Sequence, residues 1–423
     1  LVSLKLRFGP GATTSIRRSD ANPVTKMASG LQCSIDALAS ARLPELLREI
    51  PHWSDAYKTA TIEKDGWEVD VVPVDIVPGR LAFVPKSAKT YRSIVVEPCL
   101  NTFVQAGIGD FMAQRLRTIG IDIRDQSANQ RAALLGSLDG SLATIDLSSA
   151  SDLISRELVR FLLPADWYSL LSAWRTSHVL YGEEDLFLEK FSSMGNGFTF
   201  PLETLIFYCL TQSVCHDPRV LAYGDDIICP SVLAGQVIAI LNVAGFEVNS
   251  EKSYSSGPFR ESCGKDYYLG INVRPFYQKH LVSGRTLFTL HNFYARAYDF
   301  DRAAQVRKLI PRPLRIYGPD GYGDGHLISS DWKRVHRKKD LSRGYGGSYF
   351  ETYSAITRKW LQIYPGDWVS PLYSIYTRAE VPISDALPHF PVREGNSPVD
   401  TSRKARPEWT LPGEDGYKRK LIY

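Results

Sequence analysis

Between positions 219 and 230 the chain reads RVLAYGDDIICP, two short apolar runs separated by Tyr223-Gly224-Asp225-Asp226. Short apolar runs closed by a Gly/Asp turn predict a β-hairpin, the glycine taking the positive φ of a tight reversal. Apolar runs at 93–96, 142–145 and 246–248 predict further strands, and alternation over 257–275 predicts another hairpin. Helical spacing runs over 101–119 through Phe103, Val104, Ile108, Phe111, Met112 and Leu116, and again in a short helix ending at Gly136. A third helix opens at Asp152 and is closed by Pro164; a fourth carries Trp167, Leu170, Leu171 and Trp174, followed by a hairpin turning at Gly182-Glu183. Pro201 starts a helix with Leu202, Leu205, Ile206, Cys209 and Leu210 on its inner face. Helices are also predicted over 232–244, stopped by Gly245, and over 287–310. Residues 1–30 predict a basic loop, 31–77 mix short patterns with proline breaks, and 392–423 predict a polar surface tail.

Two adjacent carboxylates at a hairpin tip repel, which favours a hard divalent cation with oxygen ligands, Mg²⁺ above all and Mn²⁺ as a substitute. Asp146 stands at the carboxyl end of the 142–145 run, where a carboxylate is costly unless a cation or hydrogen bonds compensate. A sheet of these strands would set Asp146 beside the hairpin, so that Asp146, Asp225 and Asp226 converge on two ions. That arrangement suits nucleotidyl transfer by a polymerase palm. Lys86, Lys89 and Arg92, three residues apart, admit two readings: a solvated basic face, or a grip on a triphosphate. Gly195 and Gly197 flank Asn196 in a loop where backbone approaches a ligand closely. Asp152 reads as an N-cap or as a substrate contact. Lys333, Arg334, Arg337, Lys338 and Lys339, interleaved with Trp332, Tyr345 and Tyr349, suit single-stranded nucleic acid or a plain solvated loop.

The 423 residues, 44% of them hydrophobic, permit a large core and more than one subdomain. A net charge of +4 requires any polyanion site to be local. Six separated cysteines without a CxxC pair predict reduced thiols and no zinc site. The longest apolar stretch, 232–246, is interrupted by Gly235, Gln236 and Asn242, so no membrane span is expected. Leu1 stands where an initiator methionine would, so a preceding segment is expected.

TIDLSSASD, SSMGNGFTFPLE, AYGDDIICP and GPFRESCGKDYY, with VPKSAK before them, DQSANQR and PDGYGDG, closely resemble the replicases of single-stranded RNA bacteriophages, the levivirus group typified by phage Q-beta. The likeness runs from about Phe8 to beyond Gly325. It implies an RNA-directed RNA polymerase of α+β class, a right hand with an antiparallel palm sheet backed by helices. Fingers would occupy 1–140, the palm 141–275 with a fingers insertion near 165–191, and the thumb with an RNA-contact region 276–391. Asp146 and Asp225 would be metal ligands with Asp226 assisting, and Lys252 the general acid for pyrophosphate. Gly195, Asn196, Gly197, Ser151 and Asp152 would lie near the ribose, and Lys86, Lys89 and Arg92 near the triphosphate. The substrates implied are rNTPs and an RNA template, giving an RNA product in the cytoplasm of an infected bacterium. The partners implied are the host elongation factors Tu and Ts and a ribosomal protein. Two departures stand out. Ser151 occupies the place where many viral RNA polymerases carry a second carboxylate, and Asn196 precedes its helix instead of lying within it. The rival readings are a reverse transcriptase and a non-catalytic RNA-binding palm-like protein.

Overall fold

The computed structural model describes residues 4–40, 42–64, 66–86, 90–278, 282–330, 332, 350–355 and 417–422. Contacts divide these residues into two compact units, with the boundary between Arg274 and Pro275.

The first unit is built around a three-stranded antiparallel sheet in the order Leu221–Tyr223, Asp226–Pro230, Leu142–Ile145. Ile227 lies opposite Ile145 and Pro230 opposite Leu142. The alternation is buried on both faces. Ala143, Ile145, Ile227 and Cys229 join the main core with Phe207, Val237 and Leu241 from the helices Thr199–Cys215 and Ala234–Val243. Leu142 and Ile228 face Ala132 and Ala133 of the helix Ser127–Asp139. Each large apolar side chain among these taken out of water contributes about 1.5–3 kcal/mol, so the sheet is fixed from both sides. A three-stranded meander, Phe259–Ser262, Lys265–Tyr268 and Ile271–Asn272, packs on the Ser127–Asp139 helix; it is one strand longer than the hairpin the pattern predicts.

A second sheet, four-stranded, runs Glu184–Phe187, His178–Tyr181, Gly79–Pro85, Tyr91–Val96. Its last strand feeds into the 20-residue helix Cys99–Thr118, whose Phe103 makes ring contacts with Phe8 and Trp53. The expected basic loop at the start of the chain is thus anchored, with Leu4 and Phe8 buried and a short helix at Pro23–Ala28.

Several helix ends differ from the sequence reading for identifiable reasons. The helix expected to stop at Gly136 continues to Asp139 and ends on Gly140 in the left-handed region, φ 71°. Gly136 is small because a Cβ there would sit 2.5 Å from the Leu142 carbonyl oxygen. Asp152 is not an N-cap: it lies inside the short helix Ala150–Leu153, and Ser155 caps the next one, Arg156–Leu162, by accepting from the Leu158 amide. Thr199, not Pro201, begins the helix that runs to Cys215.

In the second unit the stretch 287–310 is two helices, Gly284–Arg296 and Phe300–Leu309, because Tyr298 adopts φ 58° and Asp299 caps the second. Ser283 and Thr286 form a reciprocal capping box at the first. Part of the expected polar tail is ordered structure, since Tyr417–Ile422 pairs antiparallel with Phe350–Ala355.

Two glycines in helices make opposite predictions. A Cβ on Gly109 would land on the Gly197 carbonyl, whereas one on Gly235 meets nothing within 4 Å. Gly235→Ala should gain up to about 1 kcal/mol of helix propensity. Gly109→Ala should lose about 1–3 kcal/mol to overpacking. Thermal melting checks this, with a rise for the first variant and a fall for the second.

Candidate active site

The hairpin turn consists of two residues, Gly224 and Asp225, with Tyr223 paired to Asp226. Gly224 has φ 60°, the first central position of a tight hairpin that only glycine occupies without strain. Helix Thr199–Cys215 supports the turn from beneath. Its Thr204 hydroxyl accepts from the Gly224 amide at 2.9 Å, and Phe200 stacks edge-on against Tyr223 at 4.9 Å. A Cβ at position 224 would lie 2.5 Å from the Phe200 ring and 3.0 Å from a Glu203 carboxylate oxygen.

Asp146 follows directly on the strand whose Ile145 faces Ile227, so it emerges beside the hairpin tip as expected. The segment 249–254 wraps it. Asn249 Nδ2 donates to Asp146 Oδ2 at 3.2 Å, the Asn249 amide donates to the Asp146 carbonyl at 2.9 Å, and the Asp146 amide donates to Ser253 Oγ at 3.1 Å. Asp226 is turned the other way. Its Oδ1 accepts from the Cys263 amide and the Ser262 hydroxyl, both at 3.3 Å, and its carbonyl accepts from Asn129 at 3.1 Å.

Four carboxylates share one electrostatic field. Burial raises the Asp146 pKa, and Asp225 raises it further, against the pull of Lys252, the Asn249 hydrogen bond and Lys86. Burial pushes Asp226 up to about 6, with Asp225 and Asp146 adding to it. Glu203 is pushed up to about 8, first by burial and then by Asp225, with Arg92 opposing. A cation among them would relieve the repulsion, and carboxylate oxygens are the donors a hard divalent ion takes. The donor chemistry therefore fits. The side chains are not gathered to ligand spacing, however: among the described residues no three His, Cys, Asp or Glu groups are placed to hold a metal.

Lys86, Arg92 and Lys252 are exposed, and all three act electrostatically on this cluster. Lys89 and the run Lys333, Arg334, Arg337, Lys338 and Lys339 lie outside the described residues. Asp152 is engaged with Lys190 at 2.7 Å, and Ser151 beside it is half-buried. Asn196 is 7% exposed; its Oδ1 accepts from the Phe198 amide, and its Nδ2 is buried without a partner. The flanking glycines approach protein backbone: a Cβ on Gly195 would land on the Val95 carbonyl, and one on Gly197 would sit 2.8 Å from the Gln105–Ala106 backbone. The loop's glycines thus serve to wedge it between the Tyr91–Val96 strand and the Cys99–Thr118 helix.

Glu203, Asn249 and Ser253 escaped the sequence reading. A carboxylate on the apolar inner face of the 199–215 helix was the available signal for Glu203. For Asn249 and Ser253 there was none, because their partner is more than a hundred positions away.

A model of the family described as RNA replicase, beta-chain, matches residues 2–343. The chain is 42% identical over 342 residues to the RNA-directed RNA polymerase subunit beta of Escherichia virus Qbeta, covering 77% of this chain and 55% of that protein. It is 39% identical over 292 residues to the RNA-directed RNA polymerase beta chain of Escherichia phage MS2, covering 67% and 51%. The chain spans about half the length of these two relatives. The RNA-dependent RNA polymerase of a human picorbirnavirus is similar over 74% of this chain and 75% of that one, at 12% identity and a TM-score of 0.40.

Glu203 gives a pH test. A carboxyl whose folded pKa stands above its unfolded value contributes stability while protonated, and loses that contribution as pH rises to the folded pKa. With Glu203 at about 8, wild type should lose stability relative to Glu203→Gln as pH climbs through neutrality. Thermal melts in EDTA at about pH 6 and about pH 9 should show the gap in favour of the glutamine variant widening. A pH-independent gap contradicts the assignment.

Proposed function

The chain belongs to the RNA replicase beta-chain family, and on that premise we propose that it is the catalytic part of an RNA-directed RNA polymerase copying a single-stranded RNA phage genome from rNTPs. The observation that carries the reading is the junction of Asp146 with the Asp225-Asp226 hairpin at one end of one antiparallel sheet. In this reading that sheet belongs to the palm, residues 141–275. Fingers comprise 1–140 with an insertion near 165–191, and the thumb with an RNA-contact region spans 276–391.

Asp146 and Asp225 would hold Mg²⁺, Asp226 serving chiefly to brace the hairpin through Ser262 and Cys263. Bound there, two such ions would lower the pKa of a primer 3′-hydroxyl and neutralise charge on the departing pyrophosphate. Lys86 and Arg92 supply positive charge for the triphosphate, and their pull on the carboxylate cluster supports that placement. Lys252, exposed and acting on Asp146, is the proton donor to pyrophosphate.

Sugar choice follows from Ser151. A small side chain beside the nucleotide leaves room for a 2′-hydroxyl, which favours ribose over the reverse-transcriptase alternative. Asp152, bridged to Lys190, offers that hydroxyl a carboxylate, while Asn196 shapes the glycine loop that carries it. Among the described residues no helix is long and apolar enough to cross a membrane. The cytoplasm of an infected bacterium, with elongation factors Tu and Ts and a ribosomal protein as partners, completes the proposal.

Primer extension on an RNA template with separate rNTP and dNTP pools tests it. Wild type should extend with rNTPs, and Asp225→Ala should fold normally yet lose extension. Removing about 5 kcal/mol of transition-state stabilisation slows the step by more than about 10³-fold. An Asp225→Ala protein keeping more than about a tenth of wild-type synthesis, or a wild type preferring dNTPs, contradicts the reading.

A further inference from the structure

Asp146 is the one carboxylate of the cluster that another segment grips on both its backbone and its side chain. That segment is the turn 249–253, which Asn249 opens. The Asn249 amide is fixed at both ends. Its Oδ1 accepts from the Glu251 amide at 3.2 Å, so its Nδ2 must face outward, where it meets Asp146 Oδ2 at 3.2 Å. Its backbone amide donates to the Asp146 carbonyl, and its own carbonyl accepts from the Lys252 amide at 3.2 Å. Ser253 Oγ accepts from the Asp146 amide, and Tyr254 exchanges backbone hydrogen bonds with Thr144, two residues earlier on the strand. One turn therefore delivers a hydrogen bond and a lysine to the same carboxylate.

We propose that Asn249 is a positioning residue of the active site: by occupying Asp146 Oδ2 it fixes the carboxylate plane and leaves Oδ1 as the oxygen presented to a divalent ion, while tying the Lys252 turn to that ligand. The proposal rests on the polymerase reading above. Its physical basis is general. A carboxylate free to rotate must be ordered each time it takes a ligand, whereas one already hydrogen-bonded on one oxygen is pre-ordered, and losing such an outer partner typically costs about 10–100-fold in metal affinity or activity.

A purely structural role makes a different prediction. Asn249 Oδ1 closes a turn on the Glu251 amide, and Asp makes such turns as well as Asn does. If turn formation is all that Asn249 contributes, Asn249→Asp should behave like wild type and Asn249→Ala should be the worse variant. Under the proposal, Asn249→Asp loses the donor to Asp146 and sets a second carboxylate against it, so it should do no better than Asn249→Ala.

The experiment measures thermal melting in EDTA, Mn²⁺ binding by electron paramagnetic resonance, and rNTP incorporation for wild type and both variants. Asn249→Ala should melt near wild type in EDTA, and Asn249→Asp below it, because its added carboxylate faces Asp146. Asn249→Ala should bind Mn²⁺ about tenfold more weakly and lose kcat by about 10–100-fold with nucleotide KM changed less than about twofold, and Asn249→Asp should recover no kcat. Wild-type-like kcat in Asn249→Asp, or unchanged Mn²⁺ binding and kcat in Asn249→Ala, overturns the positioning role while leaving the polymerase reading standing. A wild type that neither binds Mn²⁺ nor incorporates rNTPs overturns both.

Discussion

Repulsion among carboxylates held too close together in a half-buried site is the constraint on which this structure turns. Burial makes charge costly on Asp146, Asp226 and Glu203, and Asp225 raises that cost for all three, with Asp146 adding to it for Asp226. A chain free to relax would separate them. Here they cannot separate, because strands, a turn and a helix deliver them: Asp146 from the end of Leu142–Ile145, Asp225 from the two-residue turn, Asp226 from the first position of the strand after it, and Glu203 from the helix that supports that turn. Stability alone would select against such charge proximity, which is what the proposed catalytic role of these carboxylates accounts for.

Much of the surrounding architecture serves to hold this geometry. Arg260 is fully buried and donates to the carbonyls of Leu142, Gly257 and Phe259, clamping the meander to the strand that ends at Asp146. Beneath the glycine loop, Glu97 is buried and pushed up to about 7 by that burial, and it accepts from Thr176 and Gln105. Gln105 also reaches the Trp174 carbonyl, so one polar network joins the strand bearing Arg92 to the helix beside the loop. Such a network specifies one arrangement, because every buried member would be left unsatisfied in another.

The sequence made some of this legible, and the difference between what it showed and what it hid is physical. The hairpin around Asp225 and the strand before Asp146 follow from local pattern, apolar runs and a glycine where φ must be positive; their adjacency, across more than eighty positions, rested on assuming one sheet, and the Ile145–Ile227 pairing bears it out. Caps were harder to read. Asp152 and Ser155 are both good capping residues three apart, and only the backbone decides which takes the role. Gly195 and Gly197 read as room for a ligand because the sequence does not show that Val95, Gln105 and Ala106 occupy that space. Glu203 was visible only as a carboxylate on an apolar helix face, and Asn249 acts on a partner more than a hundred positions away, so no local spacing could reveal it.

If carboxylate repulsion relieved by a cation is the central feature, divalent ions must stabilise the fold, and removing one charge must mimic them. The direct measurement is the melting temperature of wild type and Asp225→Asn in EDTA and in saturating Mg²⁺. An ion at about 100 times its Kd contributes about 2.7 kcal/mol, so wild type should melt several degrees higher with Mg²⁺. Asp225→Asn should melt above wild type in EDTA and respond little to the ion. Wild-type melting that ignores Mg²⁺, with Asp225→Asn no more stable than wild type in EDTA, would contradict the account.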